Sequence, residues 1–194
     1  MQNTKCRCPW LDESKPDYVK YHDEEWGVPV FNDQKMFEYL TLEAAQAGLS
    51  WYTVLKKRAN YRQLFDQFEV SKVAKYDDAK IEALLQNPGI IRNRLKVQAA
   101  VNNAKQFIKI QQEFGSFCDY IWAFVDFKPI NNSLKTLTDY PSSSPISDKI
   151  SKDLKKRGFK FIGSTIIYAY MQACGMVNDH SIDCFRNNEV SQIR

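Results

Sequence analysis

Two pairs of potential metal ligands lie near the opposite ends of the chain. The sequence of 194 residues contains only two histidines, of which His22 follows Cys8 and His180 precedes Cys184. Two thiolates and two imidazoles are the donor set of a closed tetrahedral zinc site, and the spacing of His180 and Cys184 would place both on one face of a helical turn. Since four protein ligands leave no position open for water, the sequence predicts a structural zinc ion that joins the two terminal segments.

Two alternative interpretations of these residues stay open. Cys6 lies two positions before Cys8 and offers a second thiol within reach of the same site. The two ligand pairs are also separated by far more residues than the ligands of a zinc finger, so the four side chains could be unrelated residues of the core. In either case, the residues that perform chemistry must be sought elsewhere.

A second set of residues suits a flat aromatic ligand. Tyr21, Trp26 and Trp51 supply rings that can stack on a nucleobase, and a carboxylate such as that of Glu43 can accept hydrogen bonds from its N–H groups. Glu43 follows Phe37 and Leu40 on an apolar helix, so its burial is expected, and a buried carboxylate needs a partner. The alternatives are a surface salt bridge for Glu43 and simple core packing for the two tryptophans.

The segment from Gly158 to Thr165 is a candidate contact for a phosphate. It joins a basic helix to an apolar one through a short hairpin that ends at Gly163. Amides at a helix N-terminus lack intrahelical partners and carry the positive end of the helix dipole, so they bind anions. An ordinary helix connection is the alternative.

The composition limits the class of protein. With 44% hydrophobic and 26% charged residues, the chain suits one globular domain, or two small lobes with a common core, that folds as a monomer. Five cysteines, together with a start that lacks a secretory signal, indicate reduced thiols and a cytoplasmic protein. No apolar run approaches the roughly 20 residues of a membrane span. The net charge of +4 permits a nucleic-acid partner without requiring one.

Hydrophobic periodicity and capping residues predict an all-α protein. Predicted helices begin at Asn32 or Asp33, at Ser50, at Asp77 or Asp78, near Ile91, near Ile146 and at Thr165, and the longest of them ends near Phe114. Residues 128–145 are rich in Pro, Asn and Ser and are predicted to be irregular.

Taken together, the motifs closely resemble the 3-methyladenine DNA glycosylase I family. The resemblance is carried by Arg7–Trp10, Tyr21–Gly27, Leu42–Trp51, Thr53–Arg58, Leu154–Gly163 and Met171–His180, and it runs from about Cys8 to Cys184. It implies a helix-hairpin-helix DNA glycosylase fold with a structural zinc ion, in which residues 1–186 form one catalytic domain and 187–194 a mobile tail.

The resemblance also implies a reaction. A monofunctional base excision repair enzyme would flip 3-methyladenine, or 3-methylguanine, out of alkylated double-stranded DNA, hydrolyse its N-glycosidic bond and release the free base. By resemblance, Glu43 and Tyr21 read the base edge, Trp51 stacks on its face and Trp26 lines the pocket. The implied DNA contacts are Gln46 and Leu49, which fill the gap left by the base, and Lys160, Gly163, Ser164 and Thr165 of the hairpin.

The sequence departs from the wider superfamily at two positions. By resemblance, the aspartate that stabilises the sugar cation in other members corresponds to Asn178, with Asp179 as the alternative. The lysine nucleophile of the bifunctional members corresponds to Thr165, so base excision is expected to occur without strand cleavage.

Two rival functions are weaker. His22 and Glu24 satisfy the first half of a zinc nucleobase deaminase motif, but the second half, Pro-Cys-x-x-Cys, does not occur in the sequence. A helix-hairpin-helix module that binds DNA without catalysis would require a blocked pocket or the loss of Glu43, and neither is visible in the sequence.

Overall fold

The computed structural model describes residues 5–193, and most of them lie in helices. The helices are α1 (Pro16–Glu24), α2 (Asp33–Gln46), α3 (Trp51–Leu55), α4 (Arg58–Leu64), α5 (Val70–Val73), α6 (Asp78–Gln86), α7 (Arg94–Phe114), α8 (Phe117–Trp122), α9 (Pro145–Lys156), α10 (Ser164–Ala173) and α11 (Phe185–Ser191). Short 3₁₀ turns occupy Asp66–Phe68, Ala123–Val125 and Leu137–Asp139. Within the described range, no helix has the length and apolar character that crossing a membrane requires.

Helix α2 lies at the centre of the fold. All ten positions from Met36 to Ala45 are buried, and α2 packs against α3, α7, α8 and α10. A helix whose whole circumference is buried must be surrounded by other elements. It begins where the sequence predicts, because the Asn32 side chain accepts a hydrogen bond from the Lys35 amide at 2.9 Å. The consequence is that α2 brings two glutamates, Glu38 and Glu43, into the interior.

The predicted helix that starts at Ser50 is divided in two. Its N-cap is confirmed, since Ser50 Oγ accepts from the Thr53 amide, but α3 ends at Leu55 and α4 begins at Arg58. The break turns Arg58 inward, where it is buried beside Glu38. A buried ion pair therefore lies at the end of the basic run Lys56-Lys57-Arg58.

Helices α9 and α10 form a hairpin that α7 supports. Gly158 ends α9 with a φ of +87°, a conformation that favours glycine. Asn103 of α7 is buried, and its side chain bonds both the amide and the carbonyl of Lys160. Ser151 Oγ donates to the Ile162 carbonyl at 2.7 Å. The hairpin is thus held by side chains from two helices.

Two short strands qualify the all-α prediction. β1 (Ile130–Asn131) lies inside the segment predicted to be irregular and pairs in parallel with β2 (Val177–Asn178). Two-residue strands are too short to show the alternation that identifies a strand in a sequence. Their pairing fixes the backbone that leads from α10 to His180.

The C-terminal segment differs from the sequence prediction in two ways. His180 and Cys184 do not share a helical turn, because the His180 amide bonds the Asn178 side chain and Cys184 is the N-cap of α11. Residues 187–191 of the predicted tail, 187–194, belong to α11, and Val190 is buried. Met1–Thr4 and Arg194, which belong to the predicted domain and tail, lie outside the described residues.

Candidate active site and metal centre

A cavity of about 300 Å³ opens between α1, α2, α3 and α10. It is lined by Trp10, Tyr18, Tyr21, Trp26, Glu43, Gln46, Trp51, Leu137, Tyr140, Pro141, Ala169 and Gln172. The four base-binding residues predicted from the sequence, Tyr21, Trp26, Glu43 and Trp51, all belong to this set. The structure therefore brings them together in one pocket.

The walls of the cavity are aromatic. Tyr21 and Trp51 lie with ring centroids 5.3 Å apart, and Trp10 meets Trp26 edge to face at 4.8 Å. Tyr18 continues the wall at 5.4 Å from Trp10. Ring faces and edges at these distances form a rigid apolar surface that suits a planar ligand.

Glu43 is the acidic residue of the cavity. Its side chain is 4% exposed, and no N–H group of the described residues donates to its carboxylate. Burial alone raises the pKa of Glu43 to about 8. Glu38, five residues earlier on α2, is also buried, but Arg58 and Arg62 bind it at 2.6 and 2.8 Å. Of these two buried acids, only the one that faces the cavity has no cation beside it.

The four predicted metal ligands form one buried cluster. The donor atoms of Cys8, His22, His180 and Cys184 all lie within 4.8 Å of one another. The sulfur-to-nitrogen distances include 3.4 Å from Cys8 to His180, 3.5 Å from Cys184 to His180 and 3.6 Å from Cys184 to His22. Tetrahedral zinc with ordinary bond lengths holds sulfur and nitrogen ligands about 3.5 Å apart, so the donor set fits such an ion.

Outer contacts orient the two imidazoles. His22 Nδ1 lies 2.8 Å from Asp23 Oδ1, and Arg7 binds the same carboxylate. His180 Nε2 lies 3.0 Å from the Trp26 carbonyl. Each ring can thus donate from one nitrogen and leave the other free for a metal, as metal-bound histidines do.

The cluster and the cavity share a wall. The Trp26 ring lies edge to face with His180 at 4.7 Å, and the Trp10 ring lies edge to face with His22 at 5.3 Å. Cys6, the rival ligand, is exposed and lies outside the cluster. The cluster therefore supports two tryptophans of the cavity, Trp10 and Trp26.

The hairpin residues predicted to contact DNA lie apart from the cavity lining. Lys160 and Thr165 are exposed, and the space in front of Gly163 is open. The Ser164 hydroxyl lies 2.8 Å from that of Ser147, between α9 and α10. At the cavity mouth, Gln46 Nε2 donates to the Leu49 carbonyl at 2.5 Å.

The two candidates for the superfamily aspartate are both buried, and neither lines the cavity. The Asn178 amide nitrogen donates to Asn131, Asn187 and Ser191, so this residue joins β1 to α11. Asp179 accepts hydrogen bonds close to the cavity wall.

Comparison with known proteins identifies the family. Residues 10–187 match the family model described as methyladenine glycosylase. The chain belongs to the methyladenine glycosylase family. It is 50% identical over 178 residues to DNA-3-methyladenine glycosylase 1 of Escherichia coli, covering 92% of this chain and 95% of that protein. A DNA-3-methyladenine glycosylase of Haemophilus influenzae is also 50% identical, over 92% of this chain and 96% of its own.

Solved structures of methyladenine glycosylases share the fold. A crystal structure of 3-methyladenine DNA glycosylase I superimposes with a TM-score of 0.90 at 50% identity, covering 93% of this chain and 98% of the other. A variant of a 3-methyladenine DNA glycosylase I in complex with 3-methyladenine gives a TM-score of 0.90 at 35% identity, over 93% and 97% of the two chains. The resemblance deduced from the sequence motifs is confirmed.

Sequence reasoning missed several lining residues of this methyladenine glycosylase. Trp10, Tyr18, Tyr140 and Gln172 line the cavity but were not predicted to do so. Trp10 could have been found, because a metal bound by Cys8 and His22 brings position 10 against α1. Tyr140 gives no local signal, since it lies in the irregular segment that only the folded chain brings to the cavity.

The raised pKa of Glu43 predicts a dependence of stability on pH. A carboxyl group whose pKa is higher in the folded than in the unfolded chain makes the free energy of unfolding fall as the pH rises between those two pKa values. For Glu43 this range runs from 4.5 to about 8. The loss is at most about 5 kcal/mol, at about 1.4 kcal/mol for each pH unit. Glu43→Gln should remove this slope, so the variant should become progressively more stable than the wild type between pH 4.5 and 8.

Urea unfolding at intervals across this pH range measures the effect. Glu24→Gln, which changes an exposed glutamate of α1, is the control and should run parallel to the wild type. Parallel curves for Glu43→Gln as well would mean that the carboxylate is solvated.

Proposed function

We propose that this chain hydrolyses the N-glycosidic bond of 3-methyladenine in alkylated double-stranded DNA. The observation that carries the proposal is a buried carboxylate without a cation, that of Glu43, in an aromatic cavity large enough for a single base. Family membership and the reaction named in its relatives supply the context. The related structure that holds 3-methyladenine supports the free base as a ligand.

The charge of the damaged base explains the choice of residues. Methylation at N3 makes the adenine of a nucleotide cationic. The bound base therefore places beside Glu43 the positive charge that no residue of the cavity supplies. Adenine also presents an exocyclic amino group as a donor. Stacking of the base on Trp51 adds an interaction that undamaged bases share, so the carboxylate accounts for the selectivity.

The reaction needs little acid–base help. When the bond to the sugar breaks, the base takes the electron pair and leaves as neutral 3-methyladenine, while water adds to the sugar and loses a proton. The leaving group therefore requires no proton from the protein. Since Glu43 binds the cationic base before the bond breaks, it contributes more to recognition than to the chemical step.

The absence of a lysine among the cavity's described lining residues supports a monofunctional enzyme. A lyase would need an amine nucleophile at the sugar. Thr165 stands at the first turn of α10, is exposed and has no such chemistry. Gln46, which lines the cavity, and the exposed Leu49, to which Gln46 is hydrogen-bonded, are suited to occupy the space that the flipped base vacates.

The cluster of Cys8, His22, His180 and Cys184 would hold zinc as a structural ion. Zinc bound there would supply a fixed tetrahedral link between the N-terminal segment and the segment after β2. A closed set of four protein donors leaves no position for a catalytic water, which disfavours a deaminase. An open cavity that retains Glu43 likewise disfavours an inactive DNA-binding module.

Release of free base from methylated DNA tests the function. The purified protein should liberate 3-methyladenine, detected by chromatography, and leave abasic sites without strand breaks. Glu43→Gln exchanges an acceptor oxygen for a donor and removes the charge, so release should fall about 10- to 100-fold, as expected for a charge-assisted hydrogen bond. Affinity for undamaged DNA should not change. A protein that releases no base, or a variant as active as the wild type, would contradict the proposal.

Metal analysis tests the cluster. The wild type and Cys6→Ser should each bind one equivalent of zinc, whereas Cys8→Ser should lose it and melt at a lower temperature, because the metal closes a loop of most of the chain. The matched pair differs by only two positions in sequence. Zinc lost from Cys6→Ser and kept by Cys8→Ser would reverse the ligand assignment.

Salt-dependent binding tests the hairpin. Lys160→Ala should weaken DNA binding across sequences and reduce the salt slope by about one, as expected for one lost phosphate contact. Lys75→Ala, at an exposed lysine between α5 and α6, is the control. If both variants keep the wild-type affinity and slope, the hairpin is only a connection between helices.

A further inference from the structure

We infer that Gln172, held in one orientation by Asp179, is a fixed hydrogen-bond acceptor that makes the cavity select an adenine over a guanine. The inference rests on the proposed function and extends it to the choice between 3-methyladenine and 3-methylguanine. Gln172 would act on the base directly, whereas Asp179 would be a positioning residue that acts through Gln172.

Asp179 is a fully buried carboxylate with three donors. Its Oδ2 atom accepts from Tyr168 Oη and Gln172 Nε2, each at 2.8 Å, and its Oδ1 atom accepts from Asn132 Nδ2 at 2.6 Å. The donors come from α10 and from the segment after β1. Asp179 itself lies just after β2 and shows 0% exposure. A carboxylate bound from several directions is a rigid anchor.

The anchor decides which end of the Gln172 amide faces the cavity. The Gln172 amide turns its NH₂ group towards Asp179, because Nε2 donates to Oδ2 at 2.8 Å and the carboxylate oxygens accept from every side chain that binds them. The carbonyl oxygen of the same amide then points away from the anchor. Gln172 lines the cavity, and no donor among residues 5–193 binds this oxygen. An asparagine or glutamine is normally free to reverse, but this one is not.

Gln172 Oε1 therefore gives the cavity an acceptor whose orientation the protein fixes, in the same pocket as Glu43. Adenine offers an amino group where guanine offers a carbonyl oxygen. An amino group can donate to a fixed acceptor, whereas a carbonyl opposed to one is repelled and left without a partner. The tyrosine hydroxyls of the cavity can rotate to suit either base, so they do not make this distinction.

Competition between the two bases tests the inference. DNA treated with a methylating agent contains both lesions, and free 3-methyladenine and 3-methylguanine can be titrated against the fluorescence of the cavity tryptophans. Gln172→Met keeps the length of the side chain but removes the acceptor. It should weaken 3-methyladenine release and affinity about 3- to 10-fold, as for one lost hydrogen bond, and leave 3-methylguanine unchanged or improved.

Two further variants complete the experiment. Asp179→Asn removes the charge that orients the amide, so it should shift the ratio between the two bases in the same direction as Gln172→Met. Gln98→Met, at an exposed glutamine of α7, should keep the wild-type ratio. If Asp179→Asn fails to fold, Gln172→Met decides alone.

The outcomes separate the inference from the proposed function. A wild type that neither releases nor binds 3-methyladenine overturns both. A wild type that releases 3-methyladenine, with a Gln172→Met variant that keeps the ratio or loses both bases equally, overturns the inference and leaves the function standing. A Gln172→Met variant whose ratio of 3-methylguanine to 3-methyladenine release is higher than that of the wild type supports the inference. General damage to the fold would lower the release of both bases together.

Discussion

The rest of the structure depends on the burial of one carboxyl group, that of Glu43, without a cation beside it. Glu43 stands in an aromatic cavity where desolvation raises its pKa from 4.5 to about 8, so burial costs its charged form about 5 kcal/mol relative to an exposed glutamate. A fold can hold such a group only if the surrounding helices are otherwise well packed. The ten buried positions of α2 meet that condition. Glu38 on the same helix is the contrasting case, because Arg58 and Arg62 form ion pairs with its buried carboxylate.

The cavity around Glu43 also depends on residues near the two ends of the chain. The Trp10 and Trp26 rings form part of its wall, and they lie edge to face with His22 and His180 of the Cys/His cluster. The cluster in turn joins the N-terminal segment to the segment after β2. A site that must exclude water around a charge needs rigid walls, and tryptophans packed against this buried cluster supply them. The metal centre would thus serve recognition through the positions of these two rings.

Local patterns in the sequence predict a large part of the fold. The cap at Asn32, the long helix that ends at Phe114 and the scarcity of histidine each carry enough information to place α2, α7 and the four metal ligands. What could not be predicted depends on contacts between distant residues. The pairing of β1 with β2 involves only two residues of each strand. The burial of Arg58 depends on a break between α3 and α4, which the hydrophobic pattern of that segment does not indicate. Gln172 shows its role only when Asp179 is placed beside it.

Carbon NMR of the Glu43 side-chain carboxyl, titrated with and without a bound cation, tests the central claim most directly. 3,9-Dimethyladeninium carries a permanent charge and a methyl group in place of the sugar, so it is a suitable probe. The free protein should show a pKa of about 8 for Glu43, and the bound protein a lower one, because the cation stabilises the carboxylate. A Glu43 carboxyl that titrates near 4.5 in the free protein and does not respond to the probe would contradict this account.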